Sequence, residues 1–114
     1  MSVQFKSSNK FWDLFKKYKI KPDELRSFTD AKEADPLLPY GGRDYAYRGG
    51  ALAATKTSHA LLRKDMYIIY RVSGRDPTVV YLYGFTNHED SGTGSPPKQN
   101  KQQTFAKQLD NMEF

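Results

Sequence analysis

The residues best suited to chemistry in this chain are its two histidines, His59 and His88, with Arg63 and Lys64 close after the first and Arg71 further along. An imidazole of ordinary pKa, about 6.5, serves as base or acid near neutral pH. A pair of imidazoles among guanidinium and ammonium groups suits RNA cleavage by the chain's own 2′-hydroxyl. One group takes the hydroxyl proton as the oxygen attacks the neighbouring phosphate. A second protonates the leaving 5′-oxygen, and each such group contributes about 10²–10⁴-fold. Arg63 and Lys64 are placed to stabilise the extra charge of the phosphorane, and tyrosines such as Tyr81 and Tyr83 to hold splayed bases by stacking. DNA lacks the 2′-hydroxyl, which confines this reaction to RNA. The plainer reading, exposed histidines among solvated turn cations, stays open on spacing alone.

Other chemistries find little support. There is no cysteine, which excludes disulfides, thiolate metal sites and a thiol nucleophile. No carboxylate cluster stands at metal-ligand spacing, and no Gly-x-Ser-x-Gly elbow occurs. Gly92-Thr93-Gly94 lacks the lysine and the strand–loop–helix setting of a phosphate-binding loop. Neither a metal nor a cofactor is expected.

The elements that must position these groups fit in one small domain, residues 1–114. Val3 to Phe5 reads as a short strand. Ser8 or Asn9 can cap a helix running to about Tyr18, with Phe11, Trp12, Phe15 and Tyr18 as its core stripe. Pro22, Asp23 and Glu24 open a second helix that Pro36 ends. Pro39 to Asp44 is a turn, and Tyr45-Ala46-Tyr47 alternates within a strand over Asp44 to Arg48. The pattern from Ala51 to Leu62 is mixed, with a strand favoured at Ser58 to Leu62. Met66 to Val72 and Thr78 to Phe85 are β-branched and aromatic strands of one hairpin. Asn87 to Pro97 is a loop. A final helix follows, with Phe105, Ala106, Leu109 and Met112 on one face.

Helices followed by a run of strands predict an α+β fold: an antiparallel twisted sheet with two N-terminal helices on one face and a C-terminal helix. The hairpin brings the end of its second strand beside the start of its first. His88 and the His59-Arg63-Lys64 group are therefore expected at one end of the sheet. Arg71 lies nearer the other end; if it shares an open face with Tyr67 and Ile69, then Tyr81 and Tyr83 lie beside it.

Net charge is +5, and aromatic residues make up 14% of the chain. A small basic domain attracts anions, of which nucleic acid is the largest common one, and Tyr and Phe beside Arg suit stacking with phosphate neutralisation. The longest apolar run, Met66 to Tyr70, is far short of a membrane span, and no secretory h-region opens the chain. The expectation is a soluble cytoplasmic protein with no membrane partner.

At these same residues the sequence resembles the RelE/ParE superfamily of bacterial toxins, and within it the YafO-like mRNA interferases. The matches are Gly42-Arg43-Asp44 followed by a tyrosine, and the hairpin opening Asp65-Met66-Tyr67-Ile68-Ile69-Tyr70. The strand Val80-Tyr81-Leu82-Tyr83-Gly84-Phe85 then leads to Thr86-Asn87-His88-Glu89-Asp90, and a polar helix ends in Met112-Glu113-Phe114. His59-Ala60-Leu61 is similar to an element of the related YafQ-type toxins. The resemblance covers about Leu38 to Phe114.

It implies a compact sheet with helices on one side, metal-independent endoribonuclease activity on mRNA in the ribosomal A site, and neutralisation by a cognate antitoxin. On that basis His59, His88 and Arg63 are the catalytic candidates. Arg43, Arg48, Lys64, Arg71, Tyr81 and Tyr83 are the RNA- or phosphate-binding ones. Which histidine is base and which acid stays open. Two other readings of the same fold are a non-enzymatic gyrase inhibitor of the ParE kind and a plain RNA-binding module.

Overall fold

The structure, a computed structural model, describes residues 3–114. In chain order its elements are β1 (Val3–Ser7), α1 (Phe11–Lys17), α2 (Pro22–Ala34), β2 (Asp44–Ala46), α3 (Gly50–Ala54), β3 (Ser58–Arg63), β4 (Met66–Ser73), β5 (Thr78–Thr86), α4 (His88–Ser91) and α5 (Gln99–Asp110).

Side chains of a strand alternate between faces, and β4 is apolar on both. Met66, Ile68 and Tyr70 enter one buried cluster, while Tyr67 and Ile69 enter another. Such a strand must be covered on both sides. α1 and α2 cover the first face, bringing Phe11, Ile20 and Phe28 against Ile68, Tyr70 and Val80. The second face receives Leu52 of α3 and Phe105, Ala106 and Leu109 of α5. This corrects the one-sided helix packing that the resemblance implies, and the cause is the unbroken apolar run of β4.

The strand order is β1-β5-β4-β3-β2. β5, β4, β3 and β2 pair antiparallel, whereas β1 runs parallel to β5. The sheet is thus mixed, because the chain passes through α1 and α2 before it begins the antiparallel ladder. A bulge at Tyr83 shifts the β4–β5 register and keeps both Leu82 and Phe85 on the first face. Beyond it, a Cβ at Gly84 would collide with the Leu14 side chain, so glycine there lets α1 sit close on the sheet.

Local signals account for the helix ends. Pro22 occupies the first turn of α2, and Glu24 Oε1 accepts a hydrogen bond from the Lys21 N–H at 2.8 Å. Asp35, before Pro36, is extended and stops the helix. Trp12, expected in the α1 stripe, is 55% exposed; its ring leans on the edges of Phe11 and Phe15 instead. α4 lies inside the segment expected as a loop. Its N-cap is Asn87 Oδ1, which accepts from the Asp90 N–H, and Gly92 closes it in the left-handed conformation. Among the described residues no helix is long and apolar enough to cross a membrane.

One polar network crosses the first core. Lys32 is 1% exposed, and its Nζ donates to Asp44 Oδ2 at 2.8 Å and to the Leu38 carbonyl at 2.8 Å. Asp44 also accepts from the Tyr40 N–H at 2.7 Å and from the Tyr70 hydroxyl. Removing one member of a buried ion pair strands the other and typically costs about 3–5 kcal/mol. Asp44→Ala is expected to lower unfolding stability by about that amount in urea melts. A loss within about 0.5 kcal/mol, the range of ordinary surface changes, would contradict the role assigned to the pair.

Candidate active site

β2, β3 and β4 lie side by side, and their register decides which rings meet. Tyr45 pairs with His59 across β2 and β3, and His59 pairs with Ile69 across β3 and β4. His59 therefore points to the second face, as Ile69 does. Its ring stacks on Tyr47 with centroids 4.3 Å apart and planes 12° from parallel. Its other neighbour is Tyr67, 5.3 Å away and tilted. His88, at the start of α4, also meets Tyr67, tilted at 4.9 Å. Tyr47, His59, Tyr67 and His88 thus form one row of rings, with both imidazoles against a single phenol.

Both histidines border a cleft of about 420 Å³, with Tyr45, Tyr47, Arg48 and Thr93 as further walls. Among the described residues no group of three His, Asp or Glu side chains gathers to hold an ion. The larger recess, between α1 and α5, holds neither imidazole.

The two histidines differ electrically. His59 Nδ1 is buried without a hydrogen-bond partner. Burial pushes the His59 pKa below its ordinary value and the neighbouring His88 pushes it further, with Asp44 and the Tyr45 backbone opposing in part. His59 is thus a neutral imidazole at neutral pH. His88 is anchored twice by Asp65: its backbone N–H donates to Oδ1 at 3.0 Å, and its Nδ1 lies 3.2 Å from the same oxygen. That places a carboxylate oxygen beside Nδ1, close to the imidazole. Burial, with Tyr67 nearby, also raises the Tyr47 phenol well above its usual range, so it stays protonated.

The other residues singled out from the sequence fall elsewhere. Arg63 turns to the first face, where it donates to Glu24 Oε1 at 2.5 Å and to the Tyr18 carbonyl at 2.8 Å. It clamps the α1–α2 junction rather than joining the histidines, because the β3 bulge between Leu61 and Arg63 reverses its direction. Lys64 is exposed in the β3–β4 turn and Arg43 is exposed before β2. Arg48, in contrast, stands at the cleft.

Arg71, Tyr81 and Tyr83 do share the second face with Tyr67, but that face is not open. Arg71 lies 4.5 Å over the Tyr81 ring and donates from Nε to the Tyr83 hydroxyl at 3.2 Å. Phe114 meets both tyrosines edge-on at 5.1 and 4.8 Å. Tyr83 is only 7% exposed and is not free to stack on a base. The Asn9 N–H donates to the Glu113 carbonyl at 2.7 Å and the Glu113 N–H donates to Asn9 Oδ1 at 3.1 Å, which holds the C-terminal tail in place to cover them.

Sequence reasoning passed over Tyr45, Tyr47 and Tyr67 as site residues. The signal was the Tyr-Ala-Tyr alternation of β2, which turns Tyr45 and Tyr47 to one face; only the β2–β3 register places that face beside His59.

With the geometry in hand, two solved structures are similar to this chain. One is a YoeB/ParE toxin from Agrobacterium tumefaciens, with a TM-score of 0.55 and 14% identity over 77% of this chain and 99% of that one. The other is the E. coli DinJ-YafQ toxin-antitoxin complex, with a TM-score of 0.58 and 14% identity over 78% of this chain and 96% of the matched chain. Neither family models nor curated sequences match the chain. At that identity the likeness is one of fold, and it agrees with the mixed sheet and flanking helices described above. The protein shares its fold with these two toxins.

Proposed function

We propose that the protein is the toxin of a type II toxin–antitoxin pair, a YafO-like mRNA interferase that cuts mRNA on the ribosome and arrests translation. The observation that carries this reading is the convergence of His59 and His88 on one cleft, both against Tyr67. The chemistry follows from their unequal surroundings. Neutral His59 accepts the proton of a ribose 2′-hydroxyl as its oxygen bonds to the adjacent phosphorus. His88, its Nδ1 beside the Asp65 carboxylate, delivers a proton from Nε2 to the 5′-oxygen as the P–O5′ bond breaks. The products are a 2′,3′-cyclic phosphate and a 5′-hydroxyl. Arg48 at the cleft offsets phosphate charge. No metal enters this scheme.

The net charge of +5 supports an RNA partner. An antitoxin partner is supported by the likeness to a toxin solved with its antitoxin. Ribosome and mRNA as targets place the activity in the cytoplasm.

His59→Ala and His88→Ala are each expected to lower cleavage of ribosome-bound mRNA by about 10²–10⁴-fold with the circular dichroism unchanged. Arg63→Ala is expected to lower stability by about 1–3 kcal/mol through loss of its charged hydrogen bonds, yet to leave the rate of the folded fraction intact. A folded double histidine variant that still cuts would defeat the assignment.

The pH dependence has a defined sign. A base works only when deprotonated, and the His59 pKa is depressed. Activity should therefore persist as pH falls past about 6.5, the ordinary histidine value, and drop only through the lower pKa of the folded protein. Proton NMR titration should place the His59 midpoint below that of a free histidine, and His88→Ala should move it upward. A midpoint at or above the ordinary value would oppose His59 as the neutral base.

A further inference from the structure

Tyr45 is the most exposed ring lining the cleft. It is 52% exposed, whereas Tyr47, His59 and Tyr67 pack against one another. Its hydroxyl donates to the Gly42 carbonyl at 3.2 Å, which fixes the phenol at its far end while its face stays bare. The ring lies 6.4 Å from that of His59, a separation that one nucleoside spans, and Arg48 stands at the same wall. A half-exposed aromatic, held rigid beside a cation and an imidazole, is what base stacking with phosphate neutralisation requires. The cleft volume of about 420 Å³ is within the size of small-ligand sites, roughly 300–1,000 Å³.

We infer that Tyr45 is the platform for the base of the nucleotide whose 2′-hydroxyl attacks, so that sequence preference is set on the 5′ side of the cut. The assignment of sides rests on the reading above, in which His59 is the base. Tyr45 neighbours His59 in the β2–β3 register, so the base stacked there belongs to the ribose that His59 deprotonates. On the other side, beside His88, the wall is Thr93. Among the described residues lining the cleft, no free ring stands there to grip the base of the leaving nucleotide. Stacking tolerates any base but favours the larger purines, so a purine 5′ of the cut is the expected preference.

Two measurements test this on the intact protein. The first is binding of short single-stranded 2′-O-methyl oligoribonucleotides, which cannot be cut, followed by NMR. Tyr45→Ala is expected to weaken binding about tenfold or more, with Tyr45→Phe and Tyr45→Trp retaining it. The second is the cleavage profile on a randomised RNA with ribosomes. Tyr45→Ala should flatten the preference at the 5′ nucleotide and leave that at the 3′ nucleotide unchanged.

Tyr45-dependent binding without cut ends from the wild type would refute the nuclease reading and, with it, the assignment of Tyr45 to an attacking nucleotide, leaving only a base-stacking ring. Cutting whose 5′ preference survives Tyr45→Ala would refute the platform and leave the nuclease reading standing. Absence of any RNA binding by the wild type would overturn the platform outright.

Discussion

The Lys32–Asp44 pair is the constraint on which the site depends. Asp44 is the first residue of β2, the short edge strand, and its carboxylate is anchored from three directions: α2 through Lys32, the preceding loop through Tyr40, and β4 through Tyr70. Its side chain is 3% exposed, so all of those partners must be in place at once. Buried ion pairs add little net stability, because desolvation offsets the attraction. Their contribution here is register. Alternation along β2 turns Tyr45 to the face opposite Asp44, and a slip by one residue would reverse both. The carboxylate locked into the first core thus holds the cleft wall on the second.

That division runs through the whole sheet. The first face, under α1 and α2, carries the larger apolar cluster and the Arg63–Glu24 clamp. The second is shared along its length. Near the end of β4 that begins with Tyr67, rings and imidazoles meet in a cleft, while near Arg71 the tail places Phe114 over Tyr81 and Tyr83. The electrical contrast between the two histidines comes from depth. His59 sits within the ring row where water is scarce, and His88 sits at the rim with a carboxylate beside it. Two residues of one type acquire different surroundings from position alone.

Much of this frame was legible in the chain. β4 and β5 announce themselves by β-branched and aromatic runs, α2 by Pro22 and its acids, and α5 by the spacing of Phe105, Ala106 and Leu109. Hairpin geometry alone was enough to expect both histidines at one end of the sheet. What escaped depends on contacts between distant segments. Arg63 meets Glu24 across two intervening elements, and nothing near Arg63 in sequence signals it. Tyr83 looked available because the packing of α3, α5 and Phe114 over that face is a tertiary event. α3 and α4 are too short for periodicity to show, and parallel pairing of β1 with β5 leaves no local trace.

The central claim is that two imidazoles in one cleft direct a 2′-hydroxyl onto its own phosphate. The most direct measurement is the chemistry of the cut ends on an mRNA presented by the ribosome, compared with the same mRNA carrying a single 2′-deoxy nucleotide at the cut. The account predicts a 2′,3′-cyclic phosphate and a 5′-hydroxyl from the first, and no cut at that position in the second. A 5′-phosphate beside a 3′-hydroxyl, or cleavage that ignores the missing hydroxyl, would contradict it.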